Sequence, residues 1–437
     1  MTNVVGIQSA RTETDLFPEG ATGRRAFSPR RMADEALRLF DVGRLAGDLR
    51  VYRDGAYRAD DERLREFALD VLGDDFTPRR FADFAATLSM MAPALPDVPD
   101  PRLVVFDNCT VDATTGVQLV HSPEHRATVA LPVAFDARAK CPNIVEFIGD
   151  VLDEAFHARA WEVVGHCMSS WNSLRAFAWL VGLPGQGKST FADLIRALVG
   201  GENVAAVQPH QLADSPFAGA ALVGKLVNLA PDVSAADLRS VSFLKSTTGD
   251  DLVTVERKFS QPVAAKIFAK HVFASNTLPT FSDVSGAISA RVKVLEFERQ
   301  TSRPDDPHLR GRLTTPDELS GLAVQGLRAL YELRQRGSFT ENDHTRRALA
   351  SFRSSTNTIA AFVDECCTTG PDLKVRRSDL WRAFTEWADE GRKGARTSKT
   401  AFFATLRADH AVTETKVRGE FYMSRISLVC APGSVAS

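Results

Sequence analysis

The chain has 437 residues, 44% of them hydrophobic and 25% charged, with a formal net charge of −2. That length allows about two to four domains and a sizeable core. The balanced charge excludes a global pull toward nucleic acid, so any such binding must come from local patches. No leader-like segment and no run approaching about 18 apolar residues is present, which predicts a soluble protein with no membrane partner. Six cysteines without C-x-x-C spacing fit a reducing cytoplasm. His157, His166 and Cys167 lie close in sequence but match no metal-site spacing.

In chain order, residues 1–32 are polar and arginine-bearing with little periodicity, and read as a flexible tail. ADEALRLFDVGRLAGD reads as a helix, and RVYRDGAYRAD as a hairpin turning on Asp54-Gly55. DERLREFALDVLGDDFTPRRFADFAATLSMMA is helical again, PRLVVFDNCTVDATTGVQLVHSPEH looks like a second hairpin, and 141–172 returns to helix. Residues 33–170 are thus expected to form one mixed α/β domain. From 171 to about 300, β-like runs (AFAWLVG, NVAAVQP, KLVNLAP, DLVTVERKF, KHVFASN, VKVLEFE) alternate with helical stretches. RQTSRPDDPHLRGRLTTPDE reads as a loop, and two long amphipathic helices follow. The last segment gives helix, helix, then two β-like runs around Arg418-Gly419, the order of a winged helix-turn-helix.

The sharpest signal is GLPGQGKST at 182–190, which fits G-x-x-x-x-G-K-[ST] between a buried-strand-like run and a helical one. Glycines let backbone N–H groups point inward around phosphate oxygens, and the strand–loop–helix frame sets them at a helix N-terminus. Gly182, Gly185, Gly187, Lys188, Ser189 and Thr190 are the nucleotide-binding candidates, with Lys188 reaching the β- and γ-phosphates and Ser189 a Mg²⁺ ion. Four further features follow the loop in the chain. Asp232 ends a β-like run, where a carboxylate can hold Mg²⁺ and polarise water. Asn276 follows another run, where an amide can orient the attacking water. Arg291 stands just before a strand and can stabilise transition-state charge on a neighbour's γ-phosphate. Arg257, Lys258 and Phe259 lie between two β-like segments, where cations beside an aromatic suit a nucleic-acid strand. Taken singly, each has a plainer reading as a turn residue, helix cap or solvated charge.

The order GLPGQGKST, KLVNLAPD, KSTTGDD (Lys245 to Asp251), ERKF, ASNTLP, ARVKVLEF resembles that of superfamily 3 helicases, specifically the helicase part of phage and plasmid primase–helicases and their poxvirus relatives. The upstream hairpin and the C-terminal VRRSDLWRAFTEWADEG…SKTAFFATLR also look like that family, so the likeness runs from about residue 40 to 430. It implies an α/β fold: a P-loop AAA+-like core at 171–310, preceded by the mixed α/β domain at 33–170 as a possible oligomerisation collar. A helical linker at 311–368 and a winged helix at 369–437 would follow. It implies ATP and Mg²⁺ as cofactors, with Lys188, Asp232, Asn276 and Arg291 catalytic, Ser189 and Asp232 on the metal, and Arg257, Lys258 and Phe259 on DNA. The expected activity is an ATP-driven helicase with 3′ to 5′ polarity, working as a homo-hexamer on single-stranded and forked DNA in a bacterial host cytoplasm. Only about forty residues precede the resembling region, too few for a primase module, so a separate primase or replication protein is an expected partner.

Three departures from the family pattern bear on this. Pro231 precedes Asp232 where two adjacent acids are common, Gln186 stands where many members have Asn, and Phe259 takes a place where viral relatives often have His. The single acid motivates an alternative: a weakly hydrolysing origin-binding or loading ring ATPase of the same fold. A P-loop phosphotransferase unrelated to DNA is a third reading, but it has no use for Arg291 in trans or for Lys258 on a hairpin.

Overall fold

The computed structural model describes residues 15–19, 26–214, 217–233, 242–249, 251–256, 262–278, 287–298, 306–356, 358–390, 398–409, 412–417 and 419–429. The first helix, α1 (Pro29–Leu39), is capped by Ser28, whose side chain accepts from the Arg31 N–H. It ends earlier than its periodicity predicts. Residues 42–45 form strand β1 (Val42–Leu45), which pairs with β2 (Asp48–Arg53), and β2 pairs in turn with β3 (Ala56–Arg58). Both turns place two residues at positive φ, Ala46-Gly47 and Asp54-Gly55, the backbone that right-twisted hairpins require. The second turn was legible in the sequence. The first was not, because Ala-Gly is a weak turn signal and ladder pairing overrides the helical pattern of 42–48.

Helices α2 (Asp61–Leu72) and α3 (Pro78–Met91) complete a small core with α1 around Met32, Phe67, Phe84 and Leu88. A second antiparallel sheet follows: β4 (Leu103–Val105), β5 (Thr110–Asp112) and β6 (Gln118–Leu119), a meander where the sequence suggested a hairpin. Next come α4 (Pro142–Val151) and α5 (Glu154–Cys167).

The centre of the molecule is a parallel sheet. It uses β7 (Phe177–Val181), which leads to α6 (Lys188–Val199), then β8 (Val204–Ala205) and, after α7 (Pro209–Asp214), β9 (Val227–Ala230). Helix α8 (Ser242–Thr248) precedes a separate two-stranded ribbon, β10 (Leu252–Val255) with β11 (Val263–Lys266). Then β12 (Lys270–Ser275), α9 (Ala287–Arg291) and β13 (Val292–Glu296) complete the set. The spatial order is β13-β7-β12-β9-β8. Both β9 and β12 are buried along their whole length, as a parallel sheet covered on both faces demands. Residues upstream of β7 share its core: Val104, Phe147, Ile148 and Val164 pack in one cluster with Trp179, Phe273 and Leu295.

After β13 the expected loop contains a short helix, α10 (Leu309–Leu313), and α11 begins at Pro316 (Pro316–Arg336), capped by Thr315. Proline and charge density hid both starts. Helix α12 (Asp343–Thr356) lies against β13. The remaining elements are α13 (Thr358–Cys366), β14 (Cys367–Arg376), α14 (Arg377–Glu390), α15 (Lys399–Asp409), β15 (Thr413–Val417) and β16 (Glu420–Leu428). They have their own aromatic core of Phe362, Phe384, Phe402 and Phe403, with an antiparallel sheet in the order β14-β16-β15. The long strand β14 was not foreseen. Gly370-Pro371 interrupts its pattern, and its register with β16 shifts between Thr369 and Lys374. Among the described residues no helix is long and apolar enough to cross a membrane.

A buried polar chain crosses the sheet. The Asn228 side chain exchanges hydrogen bonds with the backbone of Val207 (2.7 and 2.9 Å), and its Nδ2 lies 3.1 Å from His271 Nδ1. With Nδ1 accepting, His271 Nε2–H donates to Thr247 Oγ1 at 2.9 Å, fixing α8 to β12. Burial, helped by the nearby Lys270 charge, pushes the His271 imidazole down to about 3. A depressed folded value makes its contribution complete above the unfolded value of about 6.5 and progressively lost as pH falls toward 3. The His271→Gln variant should therefore unfold with about one fewer proton taken up between pH 6.5 and 4, a flatter stability–pH slope. Denaturant midpoints across that range test this, and parallel slopes for the two proteins would show that folding does not shift the His271 imidazole.

Candidate nucleotide-binding site

At the C-terminal end of β7 the chain turns through residues 182–187 and enters α6, whose first residue is Lys188. Two glycines are required sterically. A Cβ on Gly182 would lie 2.3 Å from the Phe297 carbonyl oxygen, and Gly187 has φ +93° with Val151 Cγ1 only 2.7 Å from where its Cβ would sit. Gln186 turns inward and accepts from the Leu183 N–H at 2.5 Å, so Gln here braces the loop.

Lys188 is buried, 7% exposed, and its ammonium donates to the carbonyls of Gly182 and Leu183 and to Asn276 Oδ1 at 3.1 Å. Burial lowers its pKa, while the Asp232 charge acts in the opposite direction. The strand order explains the company it keeps. Because β12 lies between β7 and β9, Asn276, just past β12, emerges between the loop and Asp232, two residues past β9. A backbone bond from Val233 N to Ala274 O (2.8 Å) holds the last two turns together.

These residues open onto a cavity of about 700 Å³. Gly185, Gly187, Lys188, Ser189, Thr190, Asp232 and Asn276 line it together. Gly182 lies beneath it as an acceptor for Lys188. Arg291 is elsewhere. It closes α9 at the start of β13, where Val292 pairs with Phe177, so it lies level with the beginning of β7. The five residues of β7 separate it from the loop by about 16 Å. There it donates to Lys245 O and to Thr248 Oγ1 at 2.7 Å. The strands that bracket Arg257, Lys258 and Phe259 in sequence pair antiparallel, but those three residues lie outside the described ones.

The opposite wall was missed in the sequence. Asn143, Glu146, Phe147, Asp150 and Val151 of α4 line the cavity at spacings of three and four, a single helical stripe. Asp306, Leu309 and Arg312 close the rim, with Arg312 and Asp306 paired at 2.8 Å. The stripe mixes apolar and acidic residues, so hydropathy alone reads it as an ordinary amphipathic face; only the spacing could have flagged it.

Helix α4 has no cap of its own. Cys141 makes no side-chain cap bond, and Pro142 follows. The cap comes from 174 positions away: buried Glu318 on α11 accepts from the N–H groups of Asn143 and Ile144, both at 3.1 Å, and from Asn143 Nδ2 at 2.7 Å. At its other end, the Val151 carbonyl accepts from Glu298 N at 3.0 Å, tying the helix to the strand edge beside the loop.

Residues 83–153 match the family described as D5 N terminal like, and residues 180–291 match a family of unknown function, DUF5906. A D5-like region therefore precedes the loop. The first match supports a D5-like family at the coarse level; the second covers the loop, Asp232, Asn276 and Arg291 without assigning an activity. Among solved structures, the apo structure of the NrS-1 C terminal region (305–718) is similar at 14% identity with a TM-score of 0.50, over 91% of this chain and 99% of that one. Two other apo structures of the same region give TM-scores of 0.48 and 0.49 at 12% and 13% identity, over 92% and 91% of this chain and the whole of theirs. The first of these likenesses speaks for the fold alone.

Removing the Glu318 cap leaves two helix N–H groups unpaired, so Glu318→Ala should cost about 2 kcal/mol. Glu318→Gln, which keeps one acceptor oxygen, should cost less. Urea midpoints of the three proteins check this order, and an unshifted Ala variant would mean that solvent caps α4 equally well.

Proposed function

We propose that this chain is an ATP-driven, ring-forming DNA helicase of the superfamily 3 kind, acting in replication of a phage, plasmid or integrated element. The observation that carries this reading is the convergence of Lys188, Asn276 and Asp232 from three adjacent parallel strands on one cavity. Arg291 at the far end of the same sheet supports action in trans, since only another copy could bring such a residue to a γ-phosphate.

Each residue then has a defined task. The ammonium of Lys188 exchanges its carbonyl partners for phosphate oxygens, and the loop N–H groups at the start of α6 face the same anion. Ser189 and Asp232 line the cavity together, and one hydroxyl with one carboxylate suits Mg²⁺, which keeps waters and phosphate oxygens in its shell. The bound ion would supply charge neutralisation at the transferred phosphoryl group. Asn276, freed from Lys188 when that ammonium turns to the nucleotide, then orients the attacking water. Arg291 from the next copy stabilises the equatorial oxygens.

The P-loop core then has AAA+ character, and its neighbours fit the same reading. The order helix, strand, two helices and a hairpin in 358–428, with sheet order β14-β16-β15, supports a winged helix. Arg376, Arg377 and Arg407 each face Glu414 or Glu420, which tempers the positive field of that domain. Grip on single-stranded DNA is assigned instead to Arg257, Lys258 and Phe259 of the six copies, an electrostatic and salt-sensitive contact. The lone acid after Pro231 favours the second reading, a loading ring that hydrolyses weakly.

The test is ATP hydrolysis with and without single-stranded DNA. Wild type should be stimulated several-fold, Lys188→Ala should lose nucleotide binding and turnover, and Arg291→Ala should keep binding but lose roughly 10³ in kcat. Mixing the two inactive variants should restore part of the activity, because a Lys188→Ala subunit still lends its arginine. Turnover indifferent to DNA would sink the translocation reading, and nucleotide binding without turnover would put the loading ring first.

A further inference from the structure

We propose that Asn143 reads the base of the bound nucleotide, through its Oδ1, by accepting a hydrogen bond from an exocyclic amine such as adenine carries at C6. This rests on the nucleotide reading of the cavity and names the residue that selects within it.

The placement follows from α4. Val151 and Phe147 sit against Gly187, at 2.7 and 3.3 Å from the position a Cβ there would take, so the C-terminal half of the helix faces the phosphate loop. Asn143 lies eight residues before Val151, about 12 Å along the axis, on the same cavity-lining stripe. A nucleotide whose phosphates lie on the loop must extend away from it, and the wall it runs along ends at Asn143. Phe147, Val151 and Leu309 supply apolar surface between the two ends, as a ribose and a flat base require.

The chemistry follows from the amide's orientation. Carboxylate oxygens accept and do not donate, so the atom 2.7 Å from Glu318 Oε1 must be Nδ2. Flipping the amide would press Oδ1 onto a buried carboxylate that already takes the N–H groups of Asn143 and Ile144. The same interaction that caps α4 therefore fixes which polar atom of Asn143 is available. Oδ1 remains, and among the described residues no donor reaches it. A half-buried acceptor on the wall of a binding cavity rewards a donor and penalises another acceptor. Hypoxanthine carries a carbonyl where the amine stands and a hydrogen on N1 instead, so at the position Oδ1 would read it presents that second acceptor. A preference against it is therefore the specific signature of Oδ1 reading the amine.

The experiment measures the affinities of ADP and IDP for the full chain with Mg²⁺ present, in the wild type, Asn143→Ala and Lys188→Ala. The wild type should bind ADP roughly tenfold more tightly than IDP, the worth of one such bond. Asn143→Ala should weaken ADP and leave IDP equal or tighter, so that the two nucleotides bind alike, and Lys188→Ala should weaken both. Equal binding of ADP and IDP by the wild type, a comparison that needs no variant to fold, overturns the proposal and leaves the nucleotide site intact. A preference that survives in Asn143→Ala also overturns it, placing base reading elsewhere. Failure of the wild type to bind either nucleotide removes the reading on which the proposal rests, and the proposal with it.

Discussion

The glycine-rich loop at 182–187 owes its surroundings to a carboxylate far from it in sequence. Glu318, on a helix that follows the parallel sheet, supplies the N-terminal cap that Cys141-Pro142 cannot give to α4. A capped helix start is worth about 1 kcal/mol, and a buried orphan N–H costs more. That anchoring holds Phe147 and Val151 against Gly187, where any side chain on the loop would collide with them. The loop's curvature is thus set from outside the sheet as well as by its own glycines. The same pair of layers is locked again at α5, where buried Glu162 accepts from Thr340 and Arg336, and where Gly165 and Gly326 let α5 and α11 approach backbone to backbone. Helices upstream and downstream of the sheet therefore act as one clamp on the cavity.

The sheet supplies the complementary constraint. In a parallel array every strand ends on the same side, so the residues that follow β7, β9 and β12 meet whether or not they are near in sequence. Insertion of β12 between the other two puts an amide between a lysine and a carboxylate that would otherwise pair directly. Lys188 instead hydrogen-bonds Asn276, and Asp232 reaches it only through space. Residues that precede strands are consigned to the opposite end, which is why Arg291 has α8 for a neighbour and not the loop.

Much of this was legible in the sequence, and the failures have common causes. The strand–loop–helix frame around Lys188 and the buried runs of β7, β9, β12 and β13 were read correctly because apolar continuity is a local property. The hairpin at Asp54-Gly55 was legible because its dipeptide dictates backbone geometry. Strand β1, strand β14 and helix α10 were not, since each is decided by a partner distant in sequence or interrupted by Gly or Pro. The α4 wall was the largest omission. Its helix was visible, but which face it turns to a cavity depends on Glu318 and on the β13 edge, neither of which has a local signature. Spacing placed Arg291 before a strand; only strand direction turned that into a location.

The cations around the cavity differ in how they are held, and this decides which of them has charge to offer. Arg312 on the cavity rim faces Asp306, so its charge is shared with a carboxylate before it meets an anion. The hydrogen-bond partners of Lys188 are neutral: two carbonyls and an amide oxygen. Neutral dipoles solvate an ammonium without cancelling its charge, and they do so incompletely, as its lowered pKa indicates. A buried cation held in this way costs the free protein stability that an anion can return on binding. In the proposed reading, a chain whose net charge is −2 would draw an anion at the described site through the desolvated Lys188 and the helix N-terminus beneath it.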